Sequence, residues 1–127
     1  MKNRYDLEYP LKCSIKVLFP RLSTPEGLAE WFADDVNSEG DVFTFTWDNT
    51  TLKAKLTILR ENKLVRFNWM EKHTHTDENY FEFRINTEEL GGDIALIISD
   101  HAEPDEKVDA ISLWDTQIQR LRSIQGL

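Results

Sequence analysis

The sequence predicts an α+β fold in which a curved antiparallel sheet of six to seven strands wraps around a long C-terminal helix. Two observations predict it. Apolar and polar side chains alternate through most of residues 42–98, and from Pro104 onward the apolar period changes to three and four residues. With 127 residues, 40% of them hydrophobic, the chain can bury one core, so we expect a single domain over residues 1–127.

The first predicted strand covers residues 3–13. Its apolar side chains alternate with mostly polar or charged ones, at Tyr5, Leu7, Tyr9 and Leu11. Pro10 interrupts the run and cannot donate a backbone hydrogen bond, which suits a strand at the edge of a sheet. Cys13 continues the apolar face, so we expect a buried and unreactive thiol there.

Two short helices are predicted after this strand. Ser14 can cap the first, and Thr24-Pro25 begins the second with a capping hydroxyl and a proline at the first helical position. The second helix is expected to end near Ala33. The acidic residues that follow lack the spacing of a calcium loop, so we expect a solvated acidic loop containing Asp34, Asp35, Glu39 and Asp41.

Five strands follow, separated by turn-forming residues such as Asp48-Asn49 and Gly91-Gly92. The alternation places them at residues 42–47, 52–58, 65–69, 81–85 and 94–98. From Pro104, a long amphipathic helix presents one apolar stripe, made by Val108, Ile111, Trp114, Ile118 and Leu121. Asp105 and Glu106 are expected in its first turn, where acidic side chains favour the helix dipole.

Charge and composition exclude several classes of partner. The net charge of −8 repels phosphate backbones and anionic lipid surfaces, so we expect no nucleic-acid binding. No stretch approaches the ~18 apolar residues that a membrane span requires, so we expect no membrane insertion. One cysteine allows no internal disulfide, and the N-terminus lacks the apolar run of a signal peptide. We therefore expect a cytoplasmic protein.

The run from Thr24 to Phe32, Thr-Pro-Glu-Gly-Leu-Ala-Glu-Trp-Phe, resembles the segment after the first strand in homologues of the activator of Hsp90 ATPase. Together with the order of elements, it resembles the START-like superfamily, also called SRPBCC or Bet v 1-like, over essentially the whole chain. The resemblance implies the helix-grip fold. Because this chain is shorter than the plant lipid-binding members, the resemblance implies a smaller cavity, or none.

Alternation also directs the aromatic rings of the strands toward the C-terminal helix. We therefore predict that a small hydrophobic or amphipathic, lipid-like ligand binds between sheet and helix, in contact with Phe45, Trp47, Phe67, Trp69, Phe83, Trp114 and Ile118. All inward positions are apolar by parity, so the sequence predicts no catalytic group, no cofactor and no enzyme activity. A fully packed core is the alternative.

The second hypothesis is a protein-interaction module that resembles the Hsp90-ATPase activator homologues and has a filled core. Trp31 and Phe32 close the pair of short helices, where their rings either cover one mouth of the sheet or contact a protein partner. An exposed apolar patch there, or at Leu113 on the helix edge, would favour this hypothesis. Composition leaves a homodimer open.

One cluster has the residue types of a metal site, His73 and His75 with Asp77 and Glu78. The two histidines lie in a wholly polar loop, and no third ligand is fixed near them, so we expect no metal there. His101 is a still weaker candidate ligand.

Overall fold

Seven antiparallel strands form one curved sheet in the part of the chain that the computed structural model describes, residues 2–70, 79–87 and 93–124. The strands are β1 (Asn3–Leu11), β2 (Asp35–Glu39), β3 (Val42–Trp47), β4 (Thr50–Arg60), β5 (Leu64–Trp69), β6 (Tyr80–Thr87) and β7 (Ile94–Ala102). Their spatial order is β1-β7-β6-β5-β4-β3-β2, so β1, which contains Pro10, lies at an edge as predicted.

Three helices are described: α1 (Ile15–Ser23), α2 (Pro25–Leu28) and α3 (Lys107–Arg122). The order of elements confirms the predicted α+β fold, with two short helices after the first strand and one long helix at the C-terminal end. None of these helices is both long enough and apolar enough to cross a membrane.

Strand β2 replaces the acidic loop expected after the second helix. Its residues pair with β3 in a regular antiparallel register, from Asp35 opposite Thr46 to Glu39 opposite Val42. Val36 is its one buried side chain. Backbone pairing with β3 holds this strand in place. Because only one of its five side chains is apolar, its sequence shows no alternation from which it could be predicted.

The first strand is shorter than predicted. Pairing between β1 and β7 stops where Leu11 meets Ile94, the first residue of β7, so Cys13 lies beyond the strand. The prediction of a buried Cys13 is therefore wrong, since its side chain is only half-buried. Burial nevertheless raises the pKa of this thiol, which agrees with an unreactive cysteine.

The capping predictions for α1 and α2 are confirmed. Ser14 Oγ accepts a hydrogen bond from Val17 N at 3.2 Å, and Thr24 Oγ1 accepts one from Gly27 N at 3.0 Å. Helix α2 ends at Leu28 rather than near Ala33. A Cβ atom on Gly27 would lie 2.1 Å from the carbonyl oxygen of Pro20, so only glycine allows α2 to pack this closely against α1.

Helix α3 confirms most of the predicted stripe but begins later. Asp105 and Glu106 precede its first residue, Lys107. Val108 is 78% exposed, so its assignment to the buried stripe is wrong. Leu52 of β4 has the parity of the inward side chains but is 37% exposed. Periodicity shows which side of an element faces the core, but it does not show how far along that element the core extends.

The outer face of the sheet carries an ionic network at its centre. Glu82 of β6 is fully buried beneath Arg66 and Arg84, whose guanidinium groups donate to its carboxylate at 2.7 Å and 3.3 Å. On the neighbouring strands, the Ser99 hydroxyl donates to Asp6 at 2.7 Å and thereby lowers the pKa of that carboxyl. The polar face is therefore tightly packed as well as solvated at its rim.

Candidate functional site

A cavity of about 400 Å³ opens at the end of the sheet where β3, β5 and β7 finish and β4 begins. Helix α3 closes its other side. The lining side chains are mostly apolar or aromatic: Phe32, Trp47, Leu52, Trp69, Asp100, Ala110, Leu113, Trp114 and Gln117. Its volume and its lining are typical of the lower end of small-molecule sites.

The strands and the helix place three indole rings around this space. Trp47 and Trp69 are the last residues of β3 and β5, and alternation turns both toward α3. Trp114 extends from α3, where Ala110 lies one turn earlier and leaves room because its side chain is small. The cavity thus exists where large rings surround one small residue.

Phe32 joins the turn after α2 to both walls of the cavity. Its ring stacks on Trp114 with centroids 5.6 Å apart and meets Trp47 edge-on at 5.3 Å. Its carbonyl oxygen accepts two hydrogen bonds of 2.7 Å, one from Trp47 Nε1 and one from Gln117 Nε2. These contacts fix the orientations of the Trp47 ring and the Gln117 amide.

Asp100 near the end of β7 is the titratable group among the described lining residues. Its Oδ2 accepts hydrogen bonds from Trp114 Nε1 at 2.9 Å and from Tyr5 Oη at 3.2 Å, and its Oδ1 accepts one from the backbone of His101 at 2.8 Å. Burial raises the pKa of Asp100, although these hydrogen bonds oppose the shift. The pKa of Tyr5 is raised by its own burial and by the neighbouring carboxylate.

The prediction of a uniformly apolar interior is therefore wrong at two positions. Asp100 has the same parity as Ile94, Leu96 and Ile98, so alternation along β7 continued to its end would have placed it inside. Gln117 lies three residues after Trp114 on the buried side of α3. Both signals were present in the sequence.

The structure separates the predicted ligand-binding residues into two groups. Trp47, Trp69 and Trp114 line the cavity. The remaining four are fully buried in the packed core behind it: Phe45, Phe67, Phe83 and Ile118. Parity alone could not distinguish these groups, because the five strand side chains all point toward α3 and the two helix side chains point toward the sheet.

Trp31 and Phe32 are both buried, which agrees with the covering arrangement that the sequence allowed. Trp31 is fully buried and donates its indole N–H to the carbonyl of Arg21 at 2.7 Å. Neither ring offers surface to a partner in this conformation. Leu113 does, because it is 60% exposed at the mouth of the cavity.

Metal ligands are not brought together within the described ranges, 2–70, 79–87 and 93–124: no group of three His, Cys, Asp or Glu side chains there could hold an ion. The predicted candidates His73, His75, Asp77 and Glu78 lie outside those residues. His101 is on the outer face of the sheet, where its Nδ1 is 3.0 Å from the carbonyl oxygen of Tyr80.

A larger groove of about 690 Å³ lies near the β4–β5 turn. Charged side chains, among them Arg60, Lys63 and Arg84, contribute to its lining. It has no aromatic lining residue in the described part of the chain, and its lining is far more polar than that of the first cavity. The smaller cavity beside α3 is therefore the better candidate for a ligand site.

A curved antiparallel sheet that holds a C-terminal helix and leaves a cavity between them defines the helix-grip class. The chain belongs to the START-like superfamily, whose domain model matches residues 1–127. This match agrees with the resemblance carried by Thr24 to Phe32. No curated protein sequence is a significant match to the chain.

Solved structures agree with this assignment. The solution NMR structure of BfR322 from Bacteroides fragilis is 36% identical, with a TM-score of 0.65, and the match covers 99% of this chain and 93% of that one. The solution structure of the Aha1 dimer from Colwellia psychrerythraea is 17% identical, with a TM-score of 0.82 and coverage of 98% and 97%. The second likeness shows a shared fold.

Proposed function

We propose that this domain is a non-enzymatic binding protein that holds a small amphipathic molecule in the cavity beside α3. The observation that carries the proposal is the lining itself, in which three indoles and Phe32 surround a space of about 400 Å³. Burial of the ligand's apolar surface would supply most of the binding free energy. The bound molecule would also shield the exposed side chains of Leu52 and Leu113 at the mouth from solvent.

The arrangement of polar groups supports binding rather than catalysis. Asp100 already accepts three hydrogen bonds, one of them from the hydroxyl of Tyr5, whose pKa is raised so that it keeps its proton. The described lining itself contains no nucleophile and no second titratable side chain, and catalysis by proton transfer or nucleophilic attack requires such a group within reach of the bound molecule. We also propose a cytoplasmic location, supported by the single cysteine of the chain.

A titration of the purified chain with linear alcohols tests the proposal. Trp47, Trp69 and Trp114 line the cavity, so occupation should change their fluorescence in a saturable way. Each methylene buried contributes about 0.8 kcal/mol, so octanol should bind roughly fifteen-fold more tightly than hexanol.

Two matched variants on α3 provide the control. Ala110→Phe places a ring in the cavity and should abolish the titration, whereas Ser112→Phe places the same ring at an exposed position outside the lining and should preserve it. Octanol that fails to bind the wild type, or that binds both variants equally, would contradict a ligand site beside α3.

The second candidate is a protein-interaction module, and the exposed Leu113 favours it. The Colwellia relative is described as a dimer, and self-association of this chain through the same helix edge would bury Leu113. Sedimentation of the wild type and of Leu113→Glu distinguishes the candidates. If the wild type is a dimer, Leu113→Glu is a monomer, and the wild type binds no alcohol, the interaction module would be supported instead.

A further inference from the structure

The proposed ligand site has a chemical bias that identifies the class of its ligand. Its described aromatic lining comprises Phe32 and the three tryptophans Trp47, Trp69 and Trp114. The faces of aromatic rings carry partial negative charge and attract organic cations, most strongly in the case of tryptophan. A carboxylate in the same lining, Asp100, adds a full negative charge.

Asp100 has hydrogen-bond donors but no cationic partner. Tyr5, Trp114 and the backbone of His101 donate to it, and no Lys or Arg side chain forms an ion pair with it in the ranges that the structure describes. A partly buried carboxylate of this kind is poorly solvated, which is why burial raises the pKa of Asp100. A cation in the cavity would compensate that charge.

In the described lining, no polar atom that remains available carries a positive charge. The N–H groups of Trp47 and Trp114 and one of the two amide N–H groups of Gln117 are already committed, to Phe32 O, Asp100 and Phe32 O respectively. Gln117 Oε1 accepts no hydrogen bond from a donor within residues 2–70, 79–87 and 93–124. The second amide N–H of Gln117 and Trp69 Nε1 are available donors within the same residues, but both are neutral, and each offers an anion one hydrogen bond at most.

We infer that the cavity takes an amphipathic ammonium compound, whose charged head donates hydrogen bonds to Asp100 and Gln117 while its hydrocarbon chain extends toward Leu52 and Leu113. The inference rests on the proposed function, because it assigns the head group of a ligand in the same cavity. A fatty-acid carboxylate would instead be repelled by Asp100. The net charge of −8 attracts cations to the whole molecule.

Calorimetric titration of the purified full chain at neutral pH with four octyl compounds tests the head group at constant chain length. We expect octylammonium to bind at least tenfold more tightly than octanol, and octanoate to bind most weakly. Octyltrimethylammonium, which has no N–H, should fall between octylammonium and octanol. Raising the salt concentration should weaken octylammonium and leave octanol nearly unchanged.

Asp100→Asn keeps the size of the side chain and removes its charge, so it should weaken octylammonium about tenfold and change octanol less than twofold. Asp109→Asn removes a charge from the exposed part of α3 and should leave both affinities unchanged. If Asp100→Asn does not fold, the order of wild-type affinities still decides.

The outcomes separate the two levels of the argument. Equal binding of octylammonium, octanol and octanoate, or tighter binding of octanoate, would overturn the inference and leave the proposed function standing. Octyltrimethylammonium binding as tightly as octylammonium would overturn the hydrogen-bonded head group. Failure of all four compounds to bind would overturn both.

Discussion

Replacing Phe32 by alanine is expected to destabilise the domain by about 4 kcal/mol, because this one ring joins the turn after α2 to both walls of the cavity. The ring is 3% exposed. Its centroid lies between 5.1 and 5.6 Å from the ring centroids of Phe45, Trp47, Phe81 and Trp114. Truncation therefore leaves a cavity among aromatic walls that cannot collapse easily.

The magnitude follows from two contributions. Phe→Ala substitutions in protein cores cost about 3–5 kcal/mol, and each well-placed aromatic pair contributes about 0.5–1.5 kcal/mol beyond the area it buries. The backbone carbonyl of Phe32 is retained in the variant, so its hydrogen bonds from Trp47 and Gln117 need not be lost. For a domain of this size, a loss of about 4 kcal/mol corresponds to roughly 15 °C in Tm.

Urea unfolding followed by circular dichroism measures the effect. Phe32→Leu should lose only about 1–2 kcal/mol, since it retains most of the volume. Val108→Ala serves as the control, because this apolar side chain is 78% exposed and its removal should change stability by no more than about 0.5 kcal/mol. The reasoning is refuted by a Phe32→Ala variant that loses as little stability as Val108→Ala.

Two further predictions concern single sites. Because burial raises the pKa of Asp100 above its ordinary value of 3.8, the stability of the wild type relative to Asp100→Asn should fall as the pH rises above about 4. The pKa of Asp6 is lowered by its hydroxyl hydrogen bond, so the stability of the wild type relative to Asp6→Asn should rise as the pH rises toward about 4 and stay level above it. Gly27→Ala should cost at least about 2 kcal/mol in urea unfolding, since its Cβ would meet backbone at 2.1 Å. Gly40→Ala, with open space but a φ of +61°, should cost only about 1 kcal/mol.

These expectations have definite contrary outcomes. The folded carboxyl of Asp100 holds its proton at pH values where the unfolded one has lost it. If the stability of the wild type relative to Asp100→Asn and its stability relative to Asp6→Asn changed in the same direction with pH, the assigned environments would be contradicted. A Gly27→Ala variant as stable as Gly40→Ala would show that α1 and α2 are not packed as closely as the structure indicates.

The secondary structure was largely predictable because its causes are local. Alternation located β3 to β7, and the capping hydroxyls of Ser14 and Thr24 located the starts of α1 and α2. Strand β2 was missed because its position depends on pairing with β3 rather than on its own side chains. Predicted boundaries failed where a partner strand ends, as at Leu11 opposite Ile94.

The candidate site was predictable in direction but not in depth. Parity placed Phe45, Phe67, Trp47 and Trp69 on the correct face, yet the first two are in the core and the last two line the cavity. Which side of a strand a residue occupies is a property of the chain. The distance between that strand and α3 at a given position along the strand depends instead on how all elements pack.

The sequence by itself determined an α+β domain with one apolar face, a long amphipathic helix and two capped short helices, because each of these follows from residues near one another in the chain. Only the tertiary structure decided that Tyr5 meets Asp100, 95 residues away, and that Gln117 reaches the carbonyl of Phe32 across 85 residues. Such contacts depend on how the curved sheet holds α3. The distance between the sheet and α3 determines the size of the cavity and which polar groups line it. That distance arises from the packing of all elements together.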